Sequence, residues 1–258
     1  MLNKNLWNTW LSYLSPHYDA CMSCGKKAVL MKRYPGICEL CARRIPWITQ
    51  ISCKVCGRES YCPDCQRKSA AQRYFMFNRS AVSYNDTMRA WLADYKYKGQ
   101  ERYASLLGQI VIEAYQGMKK EMTEFYRKAW TIDVVTFVPV SGSRLIQRGF
   151  DQAAVLASHL ATYEHLPYKS LLVRQRDTIK QSSQGRQARI MNMKEVFGYA
   201  LDTPQWLTTY QSHSLNILLV DDIYTTGSTI NNCAKALIEA GQLHGIDIHV
   251  FSLTWARS

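Results

Sequence analysis

Acidic residues are scarce in this 258-residue sequence, 20 of them against 32 lysines and arginines. There is also no run of apolar residues long enough to cross a bilayer, roughly 18 or more, which excludes an ordinary membrane-spanning helix. The N-terminus lacks the charged region, long apolar stretch and small-residue cleavage site of a secretory leader, so a cytoplasmic location is expected. Without an oxidising compartment, the nine cysteines are not expected to pair as disulfides. The acid deficit is local: residues 1–80 hold 13 basic and 4 acidic groups, whereas 195–258 hold 2 basic and 6 acidic. A basic segment beside a balanced one suits a polyanionic partner. It equally describes a generally basic surface without a specific ligand.

The first 80 residues are also short of long apolar segments, and would hardly fold on a hydrophobic core alone. What they have instead is cysteine. Eight of the nine fall into four Cys-x-x-Cys pairs, Cys21/Cys24, Cys38/Cys41, Cys53/Cys56 and Cys62/Cys65, separated by 13, 11 and 5 residues. A weak repeat runs through them: CMSCG and CKVCG open two units, CELC and CPDC close them. Gly25 and Gly57 follow the opening pairs, where a positive φ lets backbone amides turn toward the sulfurs. Two thiolates from each of two knuckles complete a tetrahedral zinc site. The repeat favours sequential sites, Cys21, Cys24, Cys38 and Cys41 for one zinc and Cys53, Cys56, Cys62 and Cys65 for the other, over interleaved pairing. Binding worth about 10–16 kcal/mol per site would supply the stability the core lacks. Residues 1–80 are thus expected to form a double zinc-ribbon module.

Basic residues of that module, Arg33, Arg43, Arg44 and Arg73 among them, are interleaved with Tyr34, Trp47, Tyr61, Tyr74 and Phe75. Stacking platforms beside cations suit single-stranded nucleic acid. A protein-docking surface, or a ribbon whose aromatics fill a small core, fits the same composition. Leu6, Trp7, Trp10, Leu11 and Leu14 could form one apolar helix face, which most often packs on its own domain. Cys233, the ninth cysteine, falls in a predicted helix as a small buried side chain.

From residue 81 onward the pattern changes. Helices are predicted over 85–98, 102–119, 151–163 and 229–240, and strands over 132–138, 171–174, 215–220 and 246–254. Alternating strands and helices predict an α/β domain over 81–258, a mostly parallel sheet flanked by helices. The polar stretch 175–192 lacks apolar periodicity and reads as a mobile functional loop or a disordered segment. With 47% hydrophobic residues the chain has ample material for this core.

The strongest local pattern is ILLVDDIYTTGST, which starts at Ile217. Ligands of open parallel sheets bind beyond the carboxyl ends of the strands, where Asp221 and Asp222 are delivered. Such carboxylates can accept hydrogen bonds from vicinal ribose hydroxyls. Thr225, Thr226, Gly227, Ser228 and Thr229 follow as the next helix starts, and free amides at a helix N-terminus bind phosphate. Strand, acid pair, loop and helix in this order point to a phosphorylated ribose.

The combination resembles the type I phosphoribosyltransferase fold, whose members bind 5-phosphoribosyl-1-pyrophosphate (PRPP). The resemblance narrows at Arg148-Gly149-Phe150-Asp151-Gln152 and at Tyr95-Lys96-Tyr97-Lys98-Gly99, which are similar to motifs of the ComF family. With the cysteine module it covers nearly the whole chain. It implies that Asp221 and Asp222 hold the ribose hydroxyls, residues 225–229 the 5-phosphate, and Val140 and Ser141 a pyrophosphate loop, with Arg148 close behind. Magnesium would accompany PRPP. Arg174, Arg176, Arg186 and Arg189, assigned to the polar loop, could neutralise pyrophosphate or grip a DNA backbone, and Lys96 and Lys98 join the candidates for nucleic acid. The family's role is natural transformation. The resemblance therefore implies single-stranded DNA, PRPP and a competence helicase of the ComFA kind as partners, and a place at the inner face of the membrane beside the DNA-uptake machinery. A phosphoribosyltransferase acting on an unidentified acceptor is the alternative. Only a helix and a strand follow the phosphate loop, so a C-terminal hood for a purine base is not expected, which argues against nucleobase salvage; the zinc module could stand in the hood position instead, as N-terminal residues do in some relatives of that fold.

Overall fold

The structure, a computed structural model, describes residues 18–66, 72–97, 101–175, 196–210 and 213–258. The apolar face formed by Leu6 to Leu14, the polar stretch beyond 175, and Lys98, Gly99, Arg176, Arg186 and Arg189 lie outside them. Two compact units are present, one ending at Ile45 and the other beginning at Pro46.

The first unit has little regular structure. Strands β1 (Tyr18–Ala20) and β2 (Lys27–Val29) pair antiparallel around the first Cys-x-x-Cys knuckle, and a single helical turn, α1 (Glu39–Ala42), follows Cys38. Its buried apolar side chains are few: Tyr34, Ile37, Ala42 and Ile45 surround Cys21, Cys38 and Cys41.

In the second unit a short helical turn, α2 (Pro63–Gln66), carries Cys65 and is followed by strand β3 (Asn78–Ser83). Then come helices α3 (Asp86–Tyr97) and α4 (Glu101–Tyr126), strand β4 (Val134–Phe137), helices α5 (Gly142–Arg148) and α6 (Gln152–Glu164), and a two-stranded antiparallel ribbon, β5 (Leu172–Arg174) with β6 (Phe197–Tyr199). The chain ends with α7 (Thr203–Thr208), β7 (Ser214–Tyr224), α8 (Ser228–Leu243) and β8 (Asp247–Arg257). Strands β3, β8, β7 and β4 lie side by side in that order, all parallel. Being central, β7 is covered on both faces, which is why its sequence is an unbroken apolar run rather than an alternating one. Leu215, Ile217 and Leu219 share a buried cluster with Cys233, Ala234 and Leu237 of α8, while α6 packs on the sheet beside α4.

Three features differ from the sequence expectation. The compact units part at 45/46 rather than near 80, and several residues just after the division are tied to the sheet: Ile48 N–H donates to Ala81 (3.0 Å), Ser83 N–H to Pro46 (2.9 Å), and Phe75 and Phe77 are buried. The edge strand β3, NRSAVS, is polar in composition and gave no apolar run to read. And β7 continues four residues past Val220, pairing Asp221 with Thr254 and Tyr224 with Arg257.

Candidate functional site

The carboxyl end of β7 gathers three acids. Asp221 and Asp222 are half-buried there, and Asp222 N–H donates to Asp221 Oδ1 (2.8 Å). Asp151, which opens α6, completes the group. Its Oδ1 accepts from Ala154 N–H (3.1 Å), capping the helix, and its Oδ2 accepts from Val140 N–H (2.8 Å). One carboxylate thus orders both a helix start and the turn after β4. That turn is further held by Val138 N–H donating to Val220 (2.9 Å), and the buried Ser141 caps α5 through Arg144 N–H (3.4 Å).

Burial, then the charge of Asp222, raises the pKa of Asp221 well above the ordinary carboxylate range, against a lowering from its own hydrogen bond and from Lys96. Burial raises Asp151 as well, opposed by the amides it accepts from. Lys96 forms an ion pair with Asp222, both side chains largely buried. The charges of Asp222 and Asp151 both act on Asp221, and Lys96 opposes them.

The two family-like motifs explain how Lys96 arrives. Gly149 ends α5 in the left-handed conformation (φ 78°), and the Phe150 ring meets Tyr95 edge-on at 5.1 Å. Gln152 accepts from Arg148 Nη1 (2.6 Å) through its side chain and from Tyr95 Oη (3.2 Å) through its carbonyl. Tyr95 is buried between them, so the next residue, Lys96, is fixed over the acid pair. Sequence reasoning placed Lys96 with the nucleic-acid candidates and gave Asp151 no role; the structure puts both at the acid pair. An aspartate just before an apolar helix is an N-cap pattern, and that was the signal available for Asp151.

After Tyr224 the exposed Thr225 and Thr226 lead to Gly227, whose φ of 80° turns the chain into α8. Thr226 and Ser228 hydroxyls lie 2.9 Å apart, and Thr229 sits in the first turn, which carries no acidic residue. The opening amides of such a helix have no intrahelical acceptor. Gly227 has a second reason to be glycine: a Cβ there would lie 2.1 Å from the Tyr224 hydroxyl oxygen.

The cysteines gather sequentially. Within each group, Cys21/Cys24/Cys38/Cys41 and Cys53/Cys56/Cys62/Cys65, the sulfurs lie within 4.8 Å of one another. Cys24 and Cys38 sulfurs are 3.9 Å apart, Cys56 and Cys62 sulfurs 3.4 Å. A tetrahedron of bonds of about 2.3 Å sets sulfurs roughly 3.8 Å apart, so both groups could hold zinc. Gly25 and Gly57 have φ of 72° and 73°, as the knuckles require. Burial opposes ionisation of Cys21, yet knuckle amides outweigh it and bring the thiol down to about 6, while burial leaves Cys41 pushed up to about 12. Four such thiols ionise together only around a cation.

The other candidates are placed singly. Arg33, Arg43, Arg44 and Arg73 are exposed, Arg33 against Tyr34 and Arg43 paired with Glu39 (2.7 Å). Arg174 lies in β5, its guanidinium 5.3 Å from the Phe197 ring centre, so it belongs to a strand and not to a loop.

The chain thus combines a parallel sheet, whose central strand ends in an acid pair and runs through a glycine turn into a helix, with two four-cysteine groups. No protein-family model matches the chain. Competence protein ComFC of Bacillus subtilis is 30% identical over 241 residues, 89% of this chain and 87% of that protein. ComFC of Streptococcus pneumoniae is 26% identical over 84% of this chain and 86% of its own length, and the DNA utilization protein YhgH of Salmonella typhimurium 25% identical over 82% and 94%. The chain belongs to the ComF family. Two solved structures are similar at low score: the allosteric regulatory enzyme of purine biosynthesis (TM-score 0.32, 19% identity, 62% of this chain) and the glutamine PRPP amidotransferase from B. subtilis (TM-score 0.33, 18% identity, 62%). This chain spans less than a third of either, 29% and 30%. Neither likeness says what the chain binds. No helix among the described residues is long and apolar enough to cross a membrane.

Proposed function

We propose that this protein binds PRPP with magnesium at the end of β7, holds zinc at both four-cysteine groups, and binds single-stranded DNA in the service of competence. The observation that carries the PRPP reading is the convergence of Asp151, Asp221 and Asp222 with Lys96 beside the glycine-turned start of α8. Asp221 and Asp222 accept the ribose hydroxyls, and Thr225, Thr226, Gly227, Ser228 and Thr229 hold the 5-phosphate. Val140 and Ser141, their turn set by Asp151, line the pyrophosphate position with Arg148 close behind. Magnesium bound with PRPP would supply positive charge beside Asp221 and Asp222, and Lys96, now paired with Asp222, adds a cation at the same place. The names of the relatives, competence proteins and DNA utilization proteins, support a role in handling incoming DNA. The exposed Arg33, Arg44 and Arg73 are the DNA contacts of this reading, which places the chain in the cytoplasm, beside a competence helicase at the membrane's inner face.

The test is calorimetry of the zinc-loaded chain with PRPP and magnesium, followed by single-stranded DNA across a salt series. PRPP binding is expected in the wild type and absent from the Asp221→Ala, Asp222→Ala double variant; equal affinity in the two would overturn the site. DNA affinity is expected to fall with a log–log slope of about 0.7 per phosphate neutralised, and a flat salt series would remove DNA as the partner. Pyrophosphate release in the ternary mixture would establish the phosphoribosyltransferase instead.

A further inference from the structure

The second four-cysteine group is not an appendage of its unit. Cys56 and Cys62 belong to the same buried cluster as Phe75, Tyr224 and Ile230. Its knuckle is tied to the sheet at three carbonyls: Asn78 N–H donates to Val55 (2.7 Å), Arg79 Nη1 to Lys54 (3.1 Å), and both Asn78 Nδ2 (3.3 Å) and Arg257 Nη1 (3.4 Å) to Cys56. Arg257 is the connecting piece. Its guanidinium carbon lies 4.6 Å from the centre of the Tyr224 ring, and the edge of Phe75 meets the same ring at 6.4 Å. At the far end of that ring, the hydroxyl abuts Gly227, closely enough that no side chain fits between them. A continuous path of packed groups therefore runs from the Cys56 carbonyl through Arg257 and Tyr224 to the turn of the phosphate loop.

Resting on the PRPP site and the zinc sites proposed above, we infer that Tyr224 is a positioning residue. It transmits the metal state of Cys53, Cys56, Cys62 and Cys65 to the phosphate loop, so that affinity for PRPP depends on zinc at this group and not at Cys21, Cys24, Cys38 and Cys41. The physical ground is the packing. Loss of the ion frees two knuckles whose sulfurs and carbonyls fill one side of the cluster. Arg257 then loses the Cys56 carbonyl, the Tyr224 ring loses its wall, and the hydroxyl no longer props the backbone at Gly227. The amides that face a phosphate are then no longer pre-set, and ordering them is charged against binding.

The full chain is examined with the first group disabled by Cys24→Ser and Cys41→Ser, so that one zinc remains. PRPP affinity with magnesium is expected within twofold of wild type. Withdrawal of the remaining zinc by a chelator is expected to weaken it at least tenfold, and zinc re-addition to restore it. In Tyr224→Leu with zinc bound, affinity is expected to be low already and to change less than twofold on chelation; Tyr224→Phe keeps the ring between Arg257 and Phe75 but loses the hydroxyl against Gly227, and is expected to fall between Tyr224→Leu and wild type. A Tyr224→Leu variant with wild-type affinity and the full chelation effect would overturn the relay. A second readout does not need PRPP. Amide hydrogen exchange of the free chain over 225–229 is expected to quicken at least tenfold on loss of the second zinc, while amides of 217–220 stay protected. Equal loss of protection in both segments would mean the metal holds the whole sheet, and the inference fails. Exchange that responds as expected in a chain that does not bind PRPP would leave the relay standing and remove the PRPP reading alone.

Discussion

The two four-cysteine groups share a pattern, a knuckle glycine and nearly the same sulfur geometry, yet they live in different chemistry. Around Cys21, Cys24, Cys38 and Cys41 there is a pair of three-residue strands, one helical turn and a handful of apolar side chains. Around Cys53, Cys56, Cys62 and Cys65 there is the sheet itself, with Asn78, Arg79 and Arg257 reaching into the knuckle. The same motif thus serves once as the core of a unit and once as part of a larger core. A ligand set says which ion is held; the neighbours decide what the ion holds up.

The largest expected effect separates the two groups outright. Cys62→Ser is expected to lower the thermal midpoint of the sheet unit by on the order of 10 °C or more, since it removes both a core side chain and a metal. Cys24→Ser is expected to leave that transition in place while releasing one zinc. Scanning calorimetry with zinc quantitation reads both, and equal shifts would break the comparison.

Next in size are the ion pairs of the two units. Arg79, 6% exposed, holds Glu121 at 2.7 Å, stacks on Phe77 at 4.6 Å and donates to two carbonyls. Arg79→Met is expected to cost about 3 kcal/mol in urea unfolding, as removal of one partner strands the other charge. Arg43 and Glu39 form their pair at 75% and 63% exposure, and Arg43→Met is expected to cost less than about 0.5 kcal/mol.

The knuckle glycines sharpen the contrast further. A Cβ on Gly25 meets nothing within 4 Å, whereas one on Gly57 would lie 2.8 Å from the Asn78 carbonyl oxygen. Gly25→Ala carries only the left-handed backbone cost, about 1–2 kcal/mol. Gly57→Ala must also shift the start of β3, and is expected to be the more destabilising of the two in the same assay.

The smallest effect is a dependence on pH that belongs to the sheet unit. Asp221 and Asp151 titrate above their unfolded values, chiefly through burial. The folded chain therefore binds more protons than the unfolded one between the ordinary carboxylate range and the raised values. Stability without ligand falls as pH rises through that window. Asp221→Asn is expected to raise the thermal midpoint at neutral pH while abolishing PRPP binding, and to lose that advantage toward pH 4. A midpoint lowered at neutral pH would contradict the assigned burial.

Much of this was legible in advance. Spacing grouped the cysteines, and the unbroken apolar run located β7, because a central parallel strand must be apolar on both faces. The acid pair and the glycine turn follow it by local rules of strand end and helix start. Strand β3 was not legible, since Asn78 and Ser80 satisfy their polar groups inside the sheet through Ser252 (2.9 Å) and Thr254 (2.6 Å). The pairing of Lys96 with Asp222 was not legible either, because the two are distant in sequence.

What the sequence by itself determined is whatever depends on neighbours a few residues apart: two four-cysteine groups, a strand–acid–turn–helix segment, and membership of a family through motifs that stand nearly intact. What only the tertiary structure decided is which of these pieces touch. Arg257 and Cys56 are 201 positions apart, and no periodicity or spacing links them. Their contact arises because parallel strands bring sequence-distant ends to one edge, and burial then requires each polar group there to find a partner. That is why the second four-cysteine group, which reads in sequence as a copy of the first, becomes in the folded chain a neighbour of the turn at Gly227.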